Sequence, residues 1–204
     1  MKRWMTSAAL ILFIVIFGLY IRGARGTIFD LALIRFIQNL ISVNWRWPYF
    51  ITSIGNVTSY FAIYPVVLAY CVIKKDYRLF FTLLLATLFS NLLVEVFKHI
   101  FIRIRPMDFM RITQGGYSFP SGHASVSSAT LWTLYRIVKG DSNTSKRIRM
   151  VSLILPLIIG LTRLILGVHW PTDVIFGFML GFSVANIAPE LHDKIGTKLE
   201  RSRL

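Results

Sequence analysis

The stretch VSLILPLIIGLTRLILGVHWPTDVIFGFMLGFSVANIA, residues 151–188, consists of two apolar runs separated by a short polar hinge. Each run has about the length that a helix needs to cross the hydrocarbon core of a bilayer. We therefore predict two membrane helices, at about Val151–Leu166 and Pro171–Ala188. Three ionisable side chains lie in or beside the hinge: Arg163, His169 and Asp173. Ionisable groups are costly beside lipid, so their presence is consistent with a functional site; a histidine packed at a helix junction explains this stretch alone equally well.

The composition of the whole chain agrees with a membrane protein. Hydrophobic residues make up 55% of the 204 residues and charged residues only 16%, whereas soluble domains average about 45–50% and about 25%. The net charge of +14 could indicate nucleic-acid binding, but the cations lie between the apolar runs, as in membrane proteins. We predict an all-α, polytopic membrane protein without a nucleic-acid partner. The single Cys71 excludes a disulfide within the chain and a cysteine-based metal site.

Six membrane helices are predicted, and the chain shows no internal repeat or linker that would divide it. We therefore interpret residues 1–204 as a single integral-membrane domain. A basic loop, Lys139–Arg149, follows the fourth helix, and a charged tail containing His192 follows the sixth. The six predicted helices are Met5–Ile21, Ser59–Ile73, Leu79–Phe101, Ser121–Val138, Val151–Leu166 and Pro171–Ala188.

The segment Thr27–Ser42 has a different pattern. Apolar side chains occupy one helical face and polar side chains another, and Trp45 and Trp47 follow. Amphipathic helices that end in tryptophans are typical of the membrane interface, so we predict an additional interfacial helix after the first membrane helix. The apolar face comprises Phe29, Leu33, Phe36, Ile37 and Leu40, and the polar face comprises Arg35, Gln38, Asn39 and Ser42.

Six spans place both termini on the same side of the membrane. That side holds 14 of the 23 lysines and arginines, and an excess of cations marks the cytoplasmic side. The termini are therefore predicted to be cytoplasmic, and His169 is predicted to face the extracytoplasmic side. The 14 cations are Lys2, Arg3, Lys74, Lys75, Arg78, Arg136, Lys139, Lys146, Arg147, Arg149, Lys194, Lys198, Arg201 and Arg203.

Two cations, Lys98 and Arg105, lie seven residues apart at the end of the third helix, and Pro106 follows them. Seven residues make about two turns, so both side chains share one face if the helix continues. Like charges on one face repel, which indicates an anionic ligand. For Lys98 the anion could instead be Glu95, one turn away, in a structural ion pair. Arg103 is predicted to reach the lipid headgroups.

The sequence Pro-Ser-Gly-His, residues 120–123, opens the fourth helix. Ser121 is a predicted N-cap, and Gly122 allows a ligand to approach the backbone closely. The amides and the dipole at a helix N-terminus favour an anion. His123, in the first turn, would point its ring at that anion, although an incidental histidine in a capped helix is the alternative.

The hinge supplies the third cluster. Asp173 follows His169 by four residues, within reach of one imidazole nitrogen, and a carboxylate there leaves the other nitrogen free as a nucleophile or base. The predicted topology brings all three clusters to the outer membrane boundary, where cations and a helix N-terminus match the oxygens of a phosphate. No Asp, Glu and His set with metal-ligand spacing accompanies them, so neither a metal nor another cofactor is expected.

In order and spacing, these clusters resemble the three signature motifs of the type 2 phosphatidic acid phosphatase superfamily. The motifs are K-x6-R-P at Lys98–Pro106, P-S-G-H at Pro120–His123 and (S/T)-R-x5-H-x3-D at Thr162–Asp173. The third motif usually begins with serine, and here it begins with Thr162. The motifs span residues 98–173, and the six-helix layout extends the resemblance to the whole chain.

The resemblance implies a role for each matching residue. His169 would be the nucleophile that forms a phosphohistidine, Asp173 would orient it, and His123 would be the general acid. The family works without a metal. The phosphoryl oxygens would be held by Lys98, Arg105, Ser121, Gly122 and Arg163.

The resemblance also implies the substrate class, which is a lipid phosphate taken from the membrane bilayer. Phosphatidylglycerophosphate is favoured, and phosphatidic acid and undecaprenyl pyrophosphate are further candidates. Apart from the resemblance, we expect Glu95 and the loop Met107–Tyr117 to influence headgroup selectivity. A vanadium haloperoxidase has a similar pocket, but the six spans and the small size argue against it. A lipid or anion transporter with a basic outer vestibule would explain the cations but not a histidine–aspartate pair beside a second histidine.

Overall fold

The computed structural model of the chain describes residues 3–41, 46–75 and 77–201, with side chains through Lys194. Eight α-helices account for most of these residues, and the described ranges contain no strand, as the all-α prediction requires. A 3-10 turn, Met107–Phe109, lies between α5 and α6. The helices are α1 Arg3–Tyr20, α2 Ile28–Leu40, α3 Trp47–Ile54, α4 Val57–Lys74, α5 Arg78–Phe101, α6 Gly122–Ile137, α7 Asn143–Ile165 and α8 Pro171–Arg201.

Five helices are long and apolar enough to cross a membrane, namely α1, α4, α5, α7 and α8. The chain is therefore a multi-pass membrane protein. Helix α6 is not among the five; its 16 residues rise about 24 Å. The predicted count of six spans thus depends on α6.

Helix α6 packs on α8, α7 and α5, and most extensively on α8. Its hydroxyl side chains are buried, and several bond to a backbone carbonyl one turn earlier in the same helix. Such bonds satisfy polar groups that an apolar environment would leave without partners. They run from Ser127 to His123, from Thr130 to Val126 and from Thr133 to Ala129.

Two glycines of α8 bring it into close contact with α6. A Cβ atom at Gly177 would lie 2.8 Å from the carbonyl oxygen of Ser121, and one at Gly181 would lie 2.7 Å from that of Ser125. Small residues four positions apart allow membrane helices to approach backbone to backbone. The two helices therefore form a tight pair, and their N-termini lie together, where the Ser121 amide donates to the Asp173 carbonyl.

Gly181→Ala is expected to lower the free energy of unfolding by about 1–3 kcal/mol, the usual cost of overpacking. The added methyl group would meet the Ser128 hydroxyl and the backbone of Ser125 and Ala129, and backbone atoms cannot move aside at low cost. Thermal unfolding in detergent, followed by circular dichroism, would measure the change. Gly115→Ala is the control, because a Cβ there has open space around it; equal melting temperatures for the two variants would contradict the prediction.

The segment before α4 was not predicted as a separate helix. Helix α3 ends at Gly55, and Asn56 begins α4 as an N-cap whose side chain accepts a hydrogen bond from the Thr58 amide at 3.4 Å. The N-cap interrupts what would otherwise be one continuous apolar helix. The short α3 packs against α7.

Two predicted loops are wrong, because helices extend through them. Most of Lys139–Arg149 is the start of α7, which Ser142 caps by accepting from the Ser145 amide at 3.1 Å. The predicted charged tail continues α8, and His192 hydrogen-bonds to Thr82 of α5 at 3.0 Å. Lysine, arginine and glutamate favour helices, so a helix can continue beyond its apolar part, and the end of an apolar run does not mark the end of the helix.

Helix α2 coincides with the predicted interfacial segment and begins with a capping box between Thr27 and Asp30. Asp30, Ile34 and Ile37 are buried, whereas the apolar side chains of Phe29, Phe36 and Leu40 are exposed. Of the predicted apolar face, Ile37 therefore packs inside the helix bundle, whereas Phe29, Phe36 and Leu40 lie on its outer surface. Gln38, predicted on the polar face, donates to the carbonyl groups of Phe109 and Ile165. Ser42 and Trp45 lie outside the described residues.

Candidate active site

The α7–α8 junction is fixed by backbone hydrogen bonds at the end of α7. Gly167 adopts φ +68°, and its amide donates to the Leu164 carbonyl at 3.0 Å, while the Val168 amide donates to the Arg163 carbonyl at 3.2 Å. This pair of bonds is the Schellman arrangement, which favours glycine in the left-handed conformation. The chain then turns at once, and His169 follows two residues later.

The start of α8 determines where Asp173 lies. Pro171 occupies the first helical position, where its missing N–H costs nothing. The carboxylate of Asp173 accepts from the Trp170 amide at 2.8 Å, and so caps its own helix. Oδ2 of Asp173 also lies 3.4 Å from Nδ1 of His169.

The predicted motif residues converge on one cavity of about 210 Å³. Helix α5, the following loop, the start of α6 and the α7–α8 junction all contribute to it. Ser121 and Asp173 do not line this cavity; both are fully buried, and the Ser121 amide donates to the Asp173 carbonyl at 2.9 Å. The predicted site residues that line the cavity are Glu95, Lys98, Arg105, Gly122, His123, Arg163 and His169.

Arg105 is held by backbone carbonyl groups and faces His169. Its Nη1 atom donates to the Val168 carbonyl at 2.6 Å and lies 3.3 Å from Nε2 of His169. Its other nitrogens donate to the carbonyls of Gly115, Gly116 and Tyr117. A guanidinium group fixed in this way offers oriented N–H donors without needing a carboxylate partner.

Arg163 is buried and is positioned by two residues that lie outside the three motifs. Its Nη1 donates to the Thr52 hydroxyl at 2.6 Å, and its Nη2 donates to Oε1 of Gln114 at 3.2 Å. Its Nε atom is buried without a hydrogen-bond partner. An unsatisfied buried donor beside a cavity favours an anionic ligand.

Lys98 and Glu95 form the ion pair that the sequence left open, with a distance of 2.9 Å. The Lys98 side chain is 19% exposed and that of Glu95 is 49% exposed, so water screens the pair and it contributes little to stability. The Lys98 ammonium would lie 3.8 Å from a Cβ atom at Gly122. The cation and the start of α6 therefore face each other across the cavity.

Ser121 occupies the N-cap position of α6 but does not cap it. Its hydroxyl makes no hydrogen bond to the first turn and is buried without a partner. The first amides of a helix have no intrahelical acceptor. This helix start thus provides both a free hydroxyl and backbone donors beside the cavity.

His169 is buried, with one ring nitrogen toward Asp173 and the other toward Arg105. The contact between Nδ1 and Asp173 does not meet hydrogen-bond geometry. Because a guanidinium donor faces Nε2, the lone pair belongs on Nε2 and the proton on Nδ1. This tautomer leaves Nε2 available for attack.

Arg103 does not reach the lipid headgroups, so that prediction was wrong. Its side chain is fully buried and lies 2.6 Å from the carboxylates of both Asp30 and Asp173. Nη1 also donates to the Thr172 hydroxyl at 2.7 Å. A buried guanidinium needs anionic partners, and the two aspartates supply them.

Burial, together with the surrounding cations, favours the neutral imidazole of His169. Burial lowers the pKa of His169 well below 6.5, and the positive charges of Arg105, Arg163 and Lys98 lower it further. Burial also lowers the pKa of Arg105, against the opposing effect of Asp173. Among residues 3–41, 46–75 and 77–194, no group of three His, Cys, Asp or Glu side chains is placed to hold a metal ion.

Comparison with known families gives a match that covers more than half of the chain. The model of the PAP2 superfamily matches residues 79–196, which include all three motifs. The chain belongs to the PAP2 superfamily. The resemblance inferred from the motifs is thereby confirmed.

Two curated proteins and two crystal structures extend this comparison. Undecaprenyl-diphosphatase of Sulfolobus acidocaldarius is 26% identical over 94% of this chain and 93% of its own length. Phosphatidylglycerophosphatase B of Bacillus subtilis is 34% identical over 52% of this chain and 54% of its own length.

The crystal structures are similar in fold. A PAP2 type phosphatidylglycerolphosphate phosphatase from Bacillus subtilis superposes with a TM-score of 0.76 at 24% identity, over 93% of this chain and 97% of its own. LpxE of Aquifex aeolicus superposes with a TM-score of 0.61, also at 24% identity, over 80% and 96%.

Several cavity residues lie outside the PAP2 motifs and were missed. A Cβ atom at Gly55 would lie 3.1 Å from Cδ2 of His123, so the absence of a side chain lets the α3–α4 turn approach that ring. The sequence pattern that could have located this turn is Gly55-Asn56 before an apolar run, because such a pair is typical of the residues that precede a helix. The others that line the cavity are Asn56, Val57, Asn91, Gln114 and Val126.

Proposed function

We propose that this PAP2 protein is an integral-membrane lipid phosphate phosphatase that works through a phosphohistidine on His169 and without a metal. The observation that carries the proposal is the placement of a neutral, buried histidine among Lys98, Arg105 and Arg163 in one cavity. Three cations and a helix N-terminus would stabilise a phosphoryl group in place of a metal ion. A transporter would not need a nucleophilic nitrogen in that position.

In the first step, Nε2 of His169 attacks phosphorus and the bond to the leaving oxygen breaks. The negative charge of the bound phosphate favours a proton on His123, which lines the same cavity, and His123 transfers that proton to the leaving oxygen. In the second step, water attacks the phosphohistidine, and His123 takes one proton from the water. The N–P bond breaks, inorganic phosphate leaves, and both histidines return to their starting states.

We propose phosphatidylglycerophosphate as the preferred substrate. The amide side chains of Asn56, Asn91 and Gln114 line it together with the Glu95 carboxylate. These groups suit the hydroxyls of a glycerol headgroup. In undecaprenyl pyrophosphate a second phosphate is joined directly to the terminal one and would meet the negative charge of Glu95, whereas in phosphatidylglycerophosphate a glycerol separates the two phosphates.

We further propose that residues 1–204 form a single domain with six spans, α6 being the sixth, and with α2 at the interface. Both termini would be cytoplasmic and the cavity extracytoplasmic. The exposed apolar side chains of Phe29, Phe36 and Leu40 support a lipid-facing α2. Helix α6 is surrounded by other helices, so it needs less apolar length than a lipid-facing span.

The decisive experiment measures phosphate release by the purified protein in detergent with EDTA. The substrates are phosphatidylglycerophosphate, phosphatidic acid and undecaprenyl pyrophosphate, and Glu95→Gln is tested beside the wild type. We expect robust release with EDTA present, highest for phosphatidylglycerophosphate, and a smaller difference between substrates in the variant. No release from any of the three by folded protein would overturn the proposal.

The rate is expected to persist below pH 6.5. Protonation of His169 would remove the nucleophile, and its lowered pKa keeps the imidazole neutral to lower pH. The acid limb of kcat/KM due to His169 should therefore lie below pH 6.5, after correction for the substrate phosphate, whose second pKa is about 6. A corrected limb at or above pH 6.5 would contradict this prediction.

A further inference from the structure

Asp30 belongs to none of the three motifs, yet its buried carboxylate contacts the active-site scaffold. It lies in α2, is fully buried, and accepts from Nη2 of Arg103 at 2.6 Å. Its Oδ1 atom accepts from the Thr172 amide at 2.9 Å. Asp30 thus binds both an active-site cation and the first turn of α8.

Arg103 connects Asp30 to Asp173. One Nη atom faces each carboxylate at 2.6 Å, and all three side chains are fully buried. The guanidinium group is planar and rigid, so fixing one end of the fork fixes the direction of the other. The position of the Asp173 carboxylate therefore depends on the partner at the far end of Arg103.

Asp173 in turn lies between Arg103 and His169. Its Oδ1 faces Arg103, and its Oδ2 lies 3.4 Å from Nδ1 of His169. Without the charge of Asp30, Arg103 would have a single carboxylate partner and would be free to bind it with both Nη atoms. That rearrangement would turn Oδ2 of Asp173 away from His169.

We propose that Asp30 is a positioning residue, which holds Arg103 and the start of α8 so that Asp173 keeps its orientation toward His169. The proposal rests on the proposed function, since it concerns the same nucleophile. It makes α2 part of the catalytic scaffold, in addition to its contact with the membrane surface.

Asp30→Asn tests this role, because it removes the charge and keeps both the shape and one acceptor oxygen. We expect kcat for phosphatidylglycerophosphate to fall by about 10- to 100-fold, as for other groups that orient a catalytic side chain. KM should change by less than about twofold, since Asp30 does not line the cavity. Arg103→Lys should act in the same way, because an ammonium lacks the rigid fork.

A double-mutant cycle distinguishes a positioning effect of Asp30 on Asp173 from a loss of kcat that is due to general destabilisation of the protein. If Asp30 acts through Asp173, then adding Asp30→Asn to Asp173→Asn should lower kcat by less than about twofold more. Independent, multiplying effects would overturn the proposal. The residual rates are measured with radiolabelled substrate.

A control variant alters α2 without touching Asp30 or Arg103. Gln38→Ala removes the bonds of α2 to the carbonyls of Phe109 and Ile165. It should lower the melting temperature while kcat stays within about threefold of wild type. An equal loss of kcat in this control and in Asp30→Asn would show that only the docking of α2 matters.

The outcomes distinguish this inference from the proposed function. If the wild type releases phosphate, His169→Ala does not, and both Asp30→Asn and Arg103→Lys retain full kcat, the positioning role is wrong and the phosphatase stands. If the wild type releases no phosphate, the proposed function fails and this inference fails with it.

Discussion

His169→Ala is expected to reduce phosphate release on the order of 10⁴-fold or more, the usual result of removing a nucleophile that forms a covalent intermediate. Alanine has no nitrogen in place of Nε2, which lies 3.3 Å from Nη1 of Arg105 inside the cavity. Brief reaction of the wild type with ³²P-labelled substrate should give an acid-labile, alkali-stable phosphoprotein. That label should be absent in the variant.

The matched control for this prediction is His192→Ala. His192 bonds to Thr82 of α5 and lies outside the cavity, so the variant should retain activity within about threefold of wild type. Both variants should have melting temperatures above the assay temperature. A folded His169→Ala protein that still releases phosphate would exclude His169 as the nucleophile, and transport that survives the substitution would favour the transporter.

Arg105→Lys should lower kcat/KM by about 10²- to 10³-fold, the range observed when one donor to a developing negative charge is removed. The guanidinium donates to four backbone carbonyls, those of Gly115, Gly116, Tyr117 and Val168, while it faces His169. A lysine ammonium keeps the charge but has three donors and no planar fork. The substitution therefore tests geometry at constant charge.

Arg111→Lys is the control for Arg105→Lys. Arg111 also donates to backbone carbonyls, those of Gln38 and Ile41, but it does not line the cavity. It should lose less than about threefold in kcat/KM. If Arg105→Lys lost no more than Arg111→Lys, positive charge alone would explain the site, and the oriented fork would have no role.

The sequence predicted those features that depend on local patterns. Apolar runs located the five helices that are long and apolar enough to cross a membrane, and the order of the helices predicted that the three motifs lie at one end of the bundle. Within each motif the spacing is local, so Lys98, His123 and His169 could be recognised without any tertiary contact. Their convergence in one cavity follows from the helix order.

The partners of the motif residues could not be predicted in this way. Arg163 bonds to Thr52 and Gln114, which are 111 and 49 residues away. Arg103 pairs with Asp30 across 73 residues. Its neighbours in the sequence are apolar, which led to the prediction that Arg103 reaches the lipid headgroups rather than a buried carboxylate. Such contacts depend on how helices pack, and single-sequence periodicity does not contain that information.

Helix α6 has a consequence for how the protein is made. A segment of 16 residues, rich in serine and threonine, has little tendency to leave the translocon for lipid on its own. Its hydroxyls find partners within α6 and in α5, where Ser90 and Thr87 bond to Ser125 and Thr130. For α6 as the proposed sixth span, insertion should therefore wait for its neighbours, so His123, the proposed general acid, enters its final position only when α5, α7 and α8 are already synthesised.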